Sequence, residues 1–284
     1  MEAKMIMSSA EPSQELMYYS DLFADVVSSI GQDNFAEKLT TTLKQLVVCD
    51  EIVFTLFADR PQILYFEQKV KPFPQDFDTY LAGAFLIDPY YRAAREHQIS
   101  GFASFVDLAP EGFVDSEYYQ QYLIRTGLID ECGYLIHFES GHFLNLSLDR
   151  SKTYQTFSEQ ELDILSQVSS LVEALCIKHW SKQVSQMAAG TKTLSFQLDE
   201  ALECFGGSKL TPREAEIIRL LLKGHSSNSI AERLDISSET VRIHRRNSYR
   251  KLDIGSQSEL FHLFIDSLKQ FENYDGGDPL ENYF

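Results

Sequence analysis

Apolar side chains recur every three to four residues over 14–30 and again over 33–47, and this spacing predicts two amphipathic helices. Two short runs rich in branched and aromatic residues follow, Ile52–Phe57 and Ile63–Phe66, and they predict strands. Asp59-Arg60-Pro61 lies between them and is typical of a turn. The chain therefore begins with two predicted helices followed by two predicted strands.

The next segments alternate in the same way. Asp88 is placed to cap a helix whose first residue is Pro89 and which runs to about His97. A short strand over Gly101–Val106 and a helix over Ser116–Thr126 are predicted after it.

Two longer strands, Glu131–Phe138 and His142–Asp149, are predicted to form a hairpin, because Ser140-Gly141 between them is a turn signal. The capping-box spacing of Ser158 and Glu161 then predicts a long helix to about Gln186. Helices before and after a run of antiparallel strands predict an α+β fold.

A two-residue turn at Ser140-Gly141 would place Phe138 opposite Phe143 and give the hairpin one face with aromatic and polar side chains. Such a face suits a small-molecule pocket, although an ordinary aromatic core explains the same residues equally well. The candidate ligand-binding residues are Tyr134, Ile136, Phe138, Phe143, Asn145 and Ser147. The other face would carry His137, Glu139 and His142, which we interpret as exposed side chains rather than metal ligands.

The last third of the chain has a helical pattern of its own. Ala188–Lys192 breaks the long helix, a short amphipathic helix follows over Ser195–Cys204, and Gly206-Gly207-Ser208 forms a joint. Four helices are then predicted: one capped by Thr211 with Glu214 and stopped by Gly224, one over Asn228–Leu234, one capped by Ser238 and ending near Leu252, and one over Ser256–Leu268. Asp235-Ile236-Ser237 is the tight turn between the second and third.

Charge separates this C-terminal segment from the rest of the chain. The formal net charge of the whole chain is −17, yet residues 208–269 contain 11 Lys and Arg against 8 Asp and Glu. Five of these cations lie in the ten residues Arg242–Lys251, on the third helix of the segment. A basic face with an apolar back and short polar groups at the N-terminus is what a helix needs in order to fit the major groove of DNA. A solvated helix face is one alternative, but five cations in ten residues of an acidic chain coincide with a short helix, a tight turn and a long helix. Basic helices also bind membranes or partner proteins, but neither role explains the helix and turn that precede this one.

Other function classes find little support in the sequence. There is no apolar run of about 18 residues to span a bilayer, and no basic start followed by an apolar stretch to act as a secretory signal, so we expect a cytoplasmic protein. The four cysteines are scattered and form no metal or redox motif. We find no nucleophile paired with a base and no phosphate-binding glycine loop, and therefore expect neither an enzyme nor a cofactor.

The stretch LTPREAEIIRLLLKGHSSNSIAERLDISSETVRIHRRNSYRKLDIGSQSEL resembles the LuxR/NarL-type helix-turn-helix. The resemblance implies that Arg242, Ile243 and Arg246 read bases, and that Ser238 and Thr240 hold phosphates. With the remaining basic residues of the third helix, the predicted DNA-binding set is Ser238, Thr240, Arg242, Ile243, Arg245, Arg246, Arg250 and Lys251. The resemblance also implies dimerisation through the last helix, with Leu263 and Ser267 as candidates and an intramolecular core as the alternative. Asn228 stands where the family usually has a lysine, so one backbone contact is not carried over.

The preceding residues resemble a GAF/PAS-like sensor, through their element order and through stretches such as DPYYRAAREH. Neither the acidic residues of a phosphorylated receiver nor the aromatic pattern of an acyl-homoserine-lactone domain can be placed here, and the single Trp is Trp180. The predicted organisation is an α+β sensor and dimerisation domain over 1–187, a linker with a short helix over 188–208, an all-α four-helix LuxR-type helix-turn-helix over 209–269 and an acidic tail over 270–284.

These features together predict a one-component transcription regulator that binds pseudo-palindromic DNA as a homodimer and responds to a small molecule. The alternative is a DNA-binding regulator whose N-terminal domain is a protein-interaction module without a ligand. The expected partners are double-stranded DNA at a promoter or operator, a second copy of the chain, a small molecule and RNA polymerase; no membrane is expected, and the bound protein would be associated with the bacterial nucleoid. The acidic tail is either disordered or a mask for the basic helix.

Overall fold

A computed structural model describes residues 12–58, 61–68, 80–81, 84–109, 113, 119, 127–187, 194–268, 276–281 and 283. Its N-terminal part contains a five-stranded antiparallel sheet with the strand order β2-β1-β5-β4-β3. The strands are β1 Glu51–Phe57, β2 Pro61–Gln68, β3 Gly101–Ser104, β4 Leu128–His137 and β5 Phe143–Ser151. The predicted helix over Ser116–Thr126 lies outside the described residues except for Tyr119, as does the break over 188–192.

Helices surround this sheet and form the C-terminal part. Those of the N-terminal part are α1 Pro12–Ser28, α2 Phe35–Leu46, α3 Pro89–His97, α4 Phe105–Leu108, α5 Glu159–Gln167 and α6 Ser169–Met187, with a 3₁₀ helix at Ala84–Ile87. Those that follow are α7 Leu194–Cys204, α8 Pro212–Leu222, α9 Ser227–Leu234, α10 Ser238–Leu252 and α11 Gln257–Leu268. Within the described ranges, no helix is both long enough and apolar enough to cross a bilayer.

The helix starts follow from local capping chemistry. Asp88 accepts a hydrogen bond from the Tyr90 amide at 2.8 Å and precedes Pro89, as the sequence predicts. Ser158 and Glu161 form the predicted capping box, but the helix they open ends at Gln167 and a second one begins after Val168. The predicted single helix to Gln186 is therefore two consecutive helices.

The predicted strand over Gly101–Val106 is shorter than expected. It ends at Ser104, because Ser104 caps the short helix α4 and shares a capping box with Asp107. The spacing of a serine and an acid three residues later was present in the sequence and marks this change from strand to helix.

The hairpin between β4 and β5 has a different turn from the one predicted. His137 pairs with Phe143, and the Phe138 amide donates to the His142 carbonyl at 2.9 Å, so three residues rather than two form the loop. Gly141 has a φ of +81°, the left-handed conformation that closes a type I turn with a bulge. The register therefore differs by one residue from the prediction, and every side chain of one strand changes face relative to the other.

Different helices pack against the two faces of the sheet. The side that we call the apolar face packs against α1, α2, α5 and α6, and carries Ile52, Phe54, Leu56, Cys132, Tyr134, Ile136, Leu144, Leu146 and Leu148. The side that we call the mixed face lies toward the 3₁₀ helix and α3, and carries Glu51, Val53, Thr55, Phe57, Glu131, Gly133, Leu135, His137, Phe143, Asn145, Ser147 and Asp149.

Candidate functional site

The basic helix α10 is anchored from its apolar side and capped at its start. Val241, Ser248 and Leu252 are buried, and they fix the helix against the rest of the C-terminal part. Ser237, rather than the predicted Ser238, is the cap: its hydroxyl accepts from the Thr240 amide at 3.1 Å. Because Ser237 Oγ also lies 2.8 Å from Thr240 Oγ1, the two hydroxyls form a polar start to the helix.

The cationic side of α10 faces outward. Arg242, Arg246 and Arg250 are exposed, Arg245 is half-buried, and Ile243 is an exposed apolar side chain at 41% accessibility. Arg242 lies 3.5 Å from Glu239, one turn away on the exposed surface, which is a weak interaction. Arg245, Arg246 and Arg250 form no ion pair with any residue that the structure describes. Four of the predicted cations and Ile243 are thus wholly or partly accessible on the surface of one helix.

Lys251 differs from these cations. Its ammonium binds the carboxylate of Glu214, which is buried and belongs to the capping box of α8. Burial opposes ionisation of Glu214, but the bonds from Lys251 and Thr211 outweigh it and lower the pKa to about 2. Lys251 therefore ties α10 to the start of α8.

A tight turn sets α9 against α10. Asp235 has a φ of +51° and closes α9, while the Ile236 amide donates back to the Ala231 carbonyl at 3.0 Å. Arg213 of α8 donates to the Leu234 carbonyl at 2.9 Å and so fixes the last turn of α9. This geometry presents α10 as the outer helix of a helix-turn-helix.

The predicted dimer contacts are not at the surface. Leu263 is 7% exposed and Ser267 3%, and the Ser267 hydroxyl donates to the Phe264 carbonyl within α11. Both side chains are therefore committed to the interior of the protomer, which favours the intramolecular core over the dimer contact as their role.

The predicted ligand-binding residues divide between the two faces of the sheet. Tyr134, Ile136 and Phe138 belong to the apolar face and its core, where Tyr134 donates to the Leu165 carbonyl at 3.0 Å. Phe143, Asn145 and Ser147 lie on the mixed face. The prediction of one shared face is wrong because the hairpin loop has three residues. The same shift separates His137 from His142, and the described residues contain no cluster arranged to hold a metal ion.

The mixed face has an aromatic end near the hairpin. Phe57 and Phe143 stack at 4.8 Å between ring centroids, and Tyr91 packs on Phe57 at 5.1 Å and on Phe85 at 4.9 Å. A cavity of about 170 Å³ opens beside them. It is lined by Phe57, Ala58, Tyr91, Arg95, Ser140, Gly141, His142 and Phe143.

The opposite end of the mixed face is acidic. Glu51, Asp149 and Glu131 lie directly opposite one another on three neighbouring strands. Burial, reinforced by the neighbouring carboxylates, raises the pKa of Asp149 and of Glu131, and raises that of Glu51 to about 7. This row was not predicted, because the sequence gives each acid separately and only the correct register aligns them.

A chain of polar contacts connects α3 to the C-terminal part. The Tyr91 hydroxyl donates to Asp199 of α7 at 2.9 Å, and Arg95 donates to the other oxygen of that carboxylate at 3.0 Å. On the same helix, Arg92 donates to the Lys223 carbonyl at 3.1 Å, and Lys223 forms an ion pair with Glu96 at 3.2 Å. These contacts were not predicted, since their partners are more than 100 residues apart in the chain.

The acidic tail is ordered where the structure describes it. Asp278 accepts hydrogen bonds from the Gly206 amide at 3.0 Å and from the Ser208 amide at 2.8 Å, while Leu280 is completely buried. These residues lie on the joint between α7 and α8, so the interpretation of a disordered tail is wrong for them. Asp278 is also committed to the joint and not to the cations of α10.

Comparison with known proteins places these features in a family. Residues 208–264 match the pattern of the bacterial regulatory proteins of the luxR family. A protein of Aeromonas salmonicida, whose name assigns it as an HTH-type transcriptional regulator in the exeN 3′ region, is 33% identical over 186 residues, covering 64% of this chain and 94% of that protein. The transcriptional regulatory protein MctR of Rhizobium johnstonii is 41% identical over 61 residues, 22% of this chain and 28% of MctR.

Among solved structures, the LBD domain of VqsR from Pseudomonas aeruginosa superposes with a TM-score of 0.50 at 24% sequence identity. The match covers 57% of this chain and 96% of that domain, and it shows a shared fold. The predicted α+β fold and the predicted LuxR-type helix-turn-helix are thereby confirmed.

Proposed function

We propose that this chain, which belongs to the luxR family of bacterial regulatory proteins and is a transcription regulator, binds pseudo-palindromic duplex DNA as a homodimer under the control of a small molecule held by its N-terminal part. The proposal places the protein in the cytoplasm, where its DNA target is, and RNA polymerase is a further proposed partner. The observation that carries DNA binding is the exposed face of α10, with Arg242, Ile243 and Arg246 on the outer helix of the motif.

Each predicted DNA-binding residue of α10 has a proposed role that its position supports. Arg242, Ile243 and Arg246 read base edges, because they are exposed on the first turns of a helix that fits the major groove. Ser238, Thr240, Arg245 and Arg250 contact phosphates and set the register on the duplex. Lys251 positions α10 through Glu214, which is a change from the DNA contact expected of it.

The test of DNA binding uses duplexes selected by the full chain from a random-sequence library. We expect an inverted repeat to be enriched, with half-sites about one helical turn apart. Arg242→Ala and Arg246→Ala should each raise the Kd by about tenfold and relax the preference at one position, in line with the loss of about 1–3 kcal/mol for a base-reading arginine. Lys182→Ala, which removes an exposed cation on α6, is the matched control and should change neither. Selection without an enriched repeat contradicts the proposal.

Control by a ligand is supported by the position of Tyr91. Its ring lines the cavity at the aromatic end of the mixed face, and its hydroxyl binds Asp199 on α7, the helix that leads into the DNA-binding part. A ligand that moves this ring would also change the hydrogen bond to α7. The coupling is thus a direct contact between the pocket wall and the linker.

The same contact provides the test of control. A ligand that binds the mixed face should change the Kd for DNA of the native chain, and Tyr91→Phe should reduce that change while ligand binding persists. Arg92→Lys, which alters a contact between the two parts outside the cavity, is the control. If compounds that raise the melting temperature leave DNA binding unchanged in every case, the N-terminal part is better explained as an interaction module.

A further inference from the structure

The centre of the mixed face is lined by short and polar side chains. One row across the sheet contains Thr55, Asn145 and Leu135, and the next contains Val53, Ser147, Gly133 and Ala103. None of the side chains of the second row is longer than valine, so the sheet itself does not fill the space above it. Tyr90 covers one side, since its hydroxyl donates to the Glu131 carbonyl at 3.1 Å.

Two acceptor atoms on this face lack a partner. Asn145 is 5% exposed and Asp149 4%, yet Asn145 Oδ1 and Asp149 Oδ1 receive no hydrogen bond from the residues that the structure describes. A buried polar atom without a partner costs about 1–3 kcal/mol, so such atoms call for an explanation. The amide oxygen of Asn145 only accepts, and Asp149 Oδ1 accepts when its carboxyl is ionised, as it is beside a bound cation. A ligand group that donates therefore satisfies both atoms.

Carboxyl groups are concentrated beside these atoms. The row Glu51, Asp149 and Glu131 places three of them directly opposite each other, so ionising more than one sets like charges across the sheet, which is destabilising. The buried carboxyl of Asp88 belongs to the same cluster, and after burial and Glu51 it raises the pKa of Asp149 further.

The described basic residues nearest in the fold are engaged elsewhere. Arg150 lies on the other face and binds Glu161 at 2.7 Å, and Arg95 binds Asp199 at 3.0 Å. Lys44 forms an ion pair with Glu67 at 2.7 Å, and its charge also lowers the pKa of Glu51. Asp149 and Glu131 form no ion pair with a residue that the structure describes, and buried carboxylates of this kind gain most from a positively charged ligand.

We propose that the mixed face binds a small organic cation that carries an ammonium group at one end and a second hydrogen-bond donor at the other. The ammonium pairs with Asp149, next to Glu51 and Glu131, and the second donor binds Asn145 Oδ1. Asn145 and Asp149 are four residues apart, about 13 Å along a strand, which sets the scale of the molecule. The inference rests on the proposed control by a small molecule and names the class of that molecule.

A metal ion is a poorer occupant of this face. The described residues contain no group of three carboxylate, imidazole or thiolate ligands placed to hold one. A neutral ligand rich in carbonyl groups is also disfavoured, because it would bring acceptors to the two unpartnered acceptors and leave the carboxylates uncompensated. The aromatic rings of Phe57 and Phe143 suit an apolar body that extends toward the hairpin.

Three related compounds separate the two contacts in the full chain. Tyramine carries both donors, 2-phenylethylamine lacks the hydroxyl, and tyrosol replaces the ammonium with a neutral hydroxyl. We expect tyramine to raise the melting temperature by about 5 °C or more at a hundredfold excess over its Kd, from the linkage of binding to stability. By isothermal titration calorimetry, tyramine should bind at least tenfold more tightly than tyrosol.

Variants assign the contacts to residues. In Asp149→Asn, the tenfold preference for tyramine over tyrosol should fall to less than threefold, while the melting temperature without ligand stays unchanged or rises because repulsion is relieved. In Asn145→Leu, the preference for tyramine over 2-phenylethylamine should disappear. Glu131→Gln is a second test of the acidic row should Asp149→Asn fail to fold, and Asp163→Asn on the exposed surface of α5 is the control that should bind as the native chain does.

Two outcomes overturn the proposal. One is the absence of an Asp149-dependent response to tyramine, octylamine and 1,6-diaminohexane alike. The other is a tighter response to neutral compounds that Asp149→Asn leaves unchanged, which contradicts the cationic class but leaves control by a small molecule intact. DNA selection by α10 is measured separately, so its failure is distinguishable from either outcome.

Discussion

The two faces of the five-stranded sheet are built from alternate residues of the same strands, yet they serve different ends. The apolar face carries Leu144, Leu146 and Leu148 against four helices, and the hydroxyl of Tyr134 on this face donates to the Leu165 carbonyl. The mixed face carries Asn145, Ser147 and Asp149, with unpartnered acceptors and opposed carboxylates. One face holds the fold together, and the other leaves buried polar groups uncompensated, which is where we propose that a ligand binds.

The sharpest test of this difference is to shorten neighbouring residues on β5. Leu146→Ala should lower the free energy of unfolding by about 2–5 kcal/mol, because it leaves a cavity in a fully buried core. Ser147→Ala, the next residue, should lower it by less, about 1–2 kcal/mol, since one hydrogen bond to the buried Asp149 is lost but no large cavity forms. Urea unfolding followed by tryptophan fluorescence measures both, as Trp180 lies in the core of the apolar face. Equal losses would mean that the mixed face is as tightly packed as the apolar one.

The mixed face is connected through Tyr91 to α7, the helix that leads into the DNA-binding part. The joint that follows α7 is held by Asp278, and removing that contact tests its contribution to stability. Asp278→Ala removes the acceptor of the Gly206 and Ser208 amides and should lower the stability of the C-terminal helices by about 2 kcal/mol. Glu281→Ala, which changes an exposed acid of the same tail, is the control. Hydrogen exchange of the α8 amides reports the change. If the tail instead masks α10, both variants should raise DNA affinity equally and leave exchange unaltered.

A change of pH should separate the two faces as well. The folded-state pKa of Glu51 is raised to about 7 by burial and by Asp50, above its value in the unfolded chain. Such a carboxyl favours the folded state when protonated, and its ionisation costs stability progressively as the pH rises from about 4.5 to 7.

The corresponding variant is Glu51→Gln, whose side chain does not ionise. Its stability relative to the native chain should increase by about 1 kcal/mol between pH 4.5 and 7.5, a figure reduced for solvent screening of a half-buried group. Melting curves at the two pH values measure the difference, and a constant offset would contradict the raised pKa.

The smallest expected effect is that of removing one hydroxyl between the parts. Tyr91→Phe keeps the ring against Phe57 and Phe85 but loses the bond to Asp199, and it should cost about 0.5–1.5 kcal/mol. A double-mutant cycle with Asp199→Asn isolates the coupling energy. A coupling energy of zero would remove the proposed link between the mixed face and α7.

The helices of the C-terminal part could be predicted from the sequence. Its helices begin at local signals that act over three or four residues, such as Thr211 with Glu214 and the glycine at 224, which has a φ of +83°. The basic residues of α10 were found because helical spacing by itself places them on one side. What local signals missed was the cap at Ser237 and the commitment of Lys251 to Glu214, a contact between different helices.

The sheet shows what the sequence could not decide. Strand positions and the α+β class followed from apolar patterning and turn residues, but the faces depended on a loop of two or three residues. Ser140-Gly141 is compatible with both, and only the packing of Tyr134 and Ile136 with Leu144 and Leu146 under α6 selects the longer loop. Since strand side chains alternate with a period of two, this one-residue difference moved half of the predicted pocket into the core.

The sequence by itself thus determined the elements, their order and the basic helix, because these depend on interactions between residues close along the chain. The tertiary structure decided which residues meet although they are far apart in the chain. Examples are the acidic row of Glu51, Asp149 and Glu131 and the hydrogen bond from Tyr91 to Asp199. A third is the hydrogen bond that Asp278 accepts from Ser208 in the joint before α8. Each of these contacts depends on strand register or helix packing. Both are set by the burial of many apolar side chains together, which outweighs the local conformational preference of any single residue.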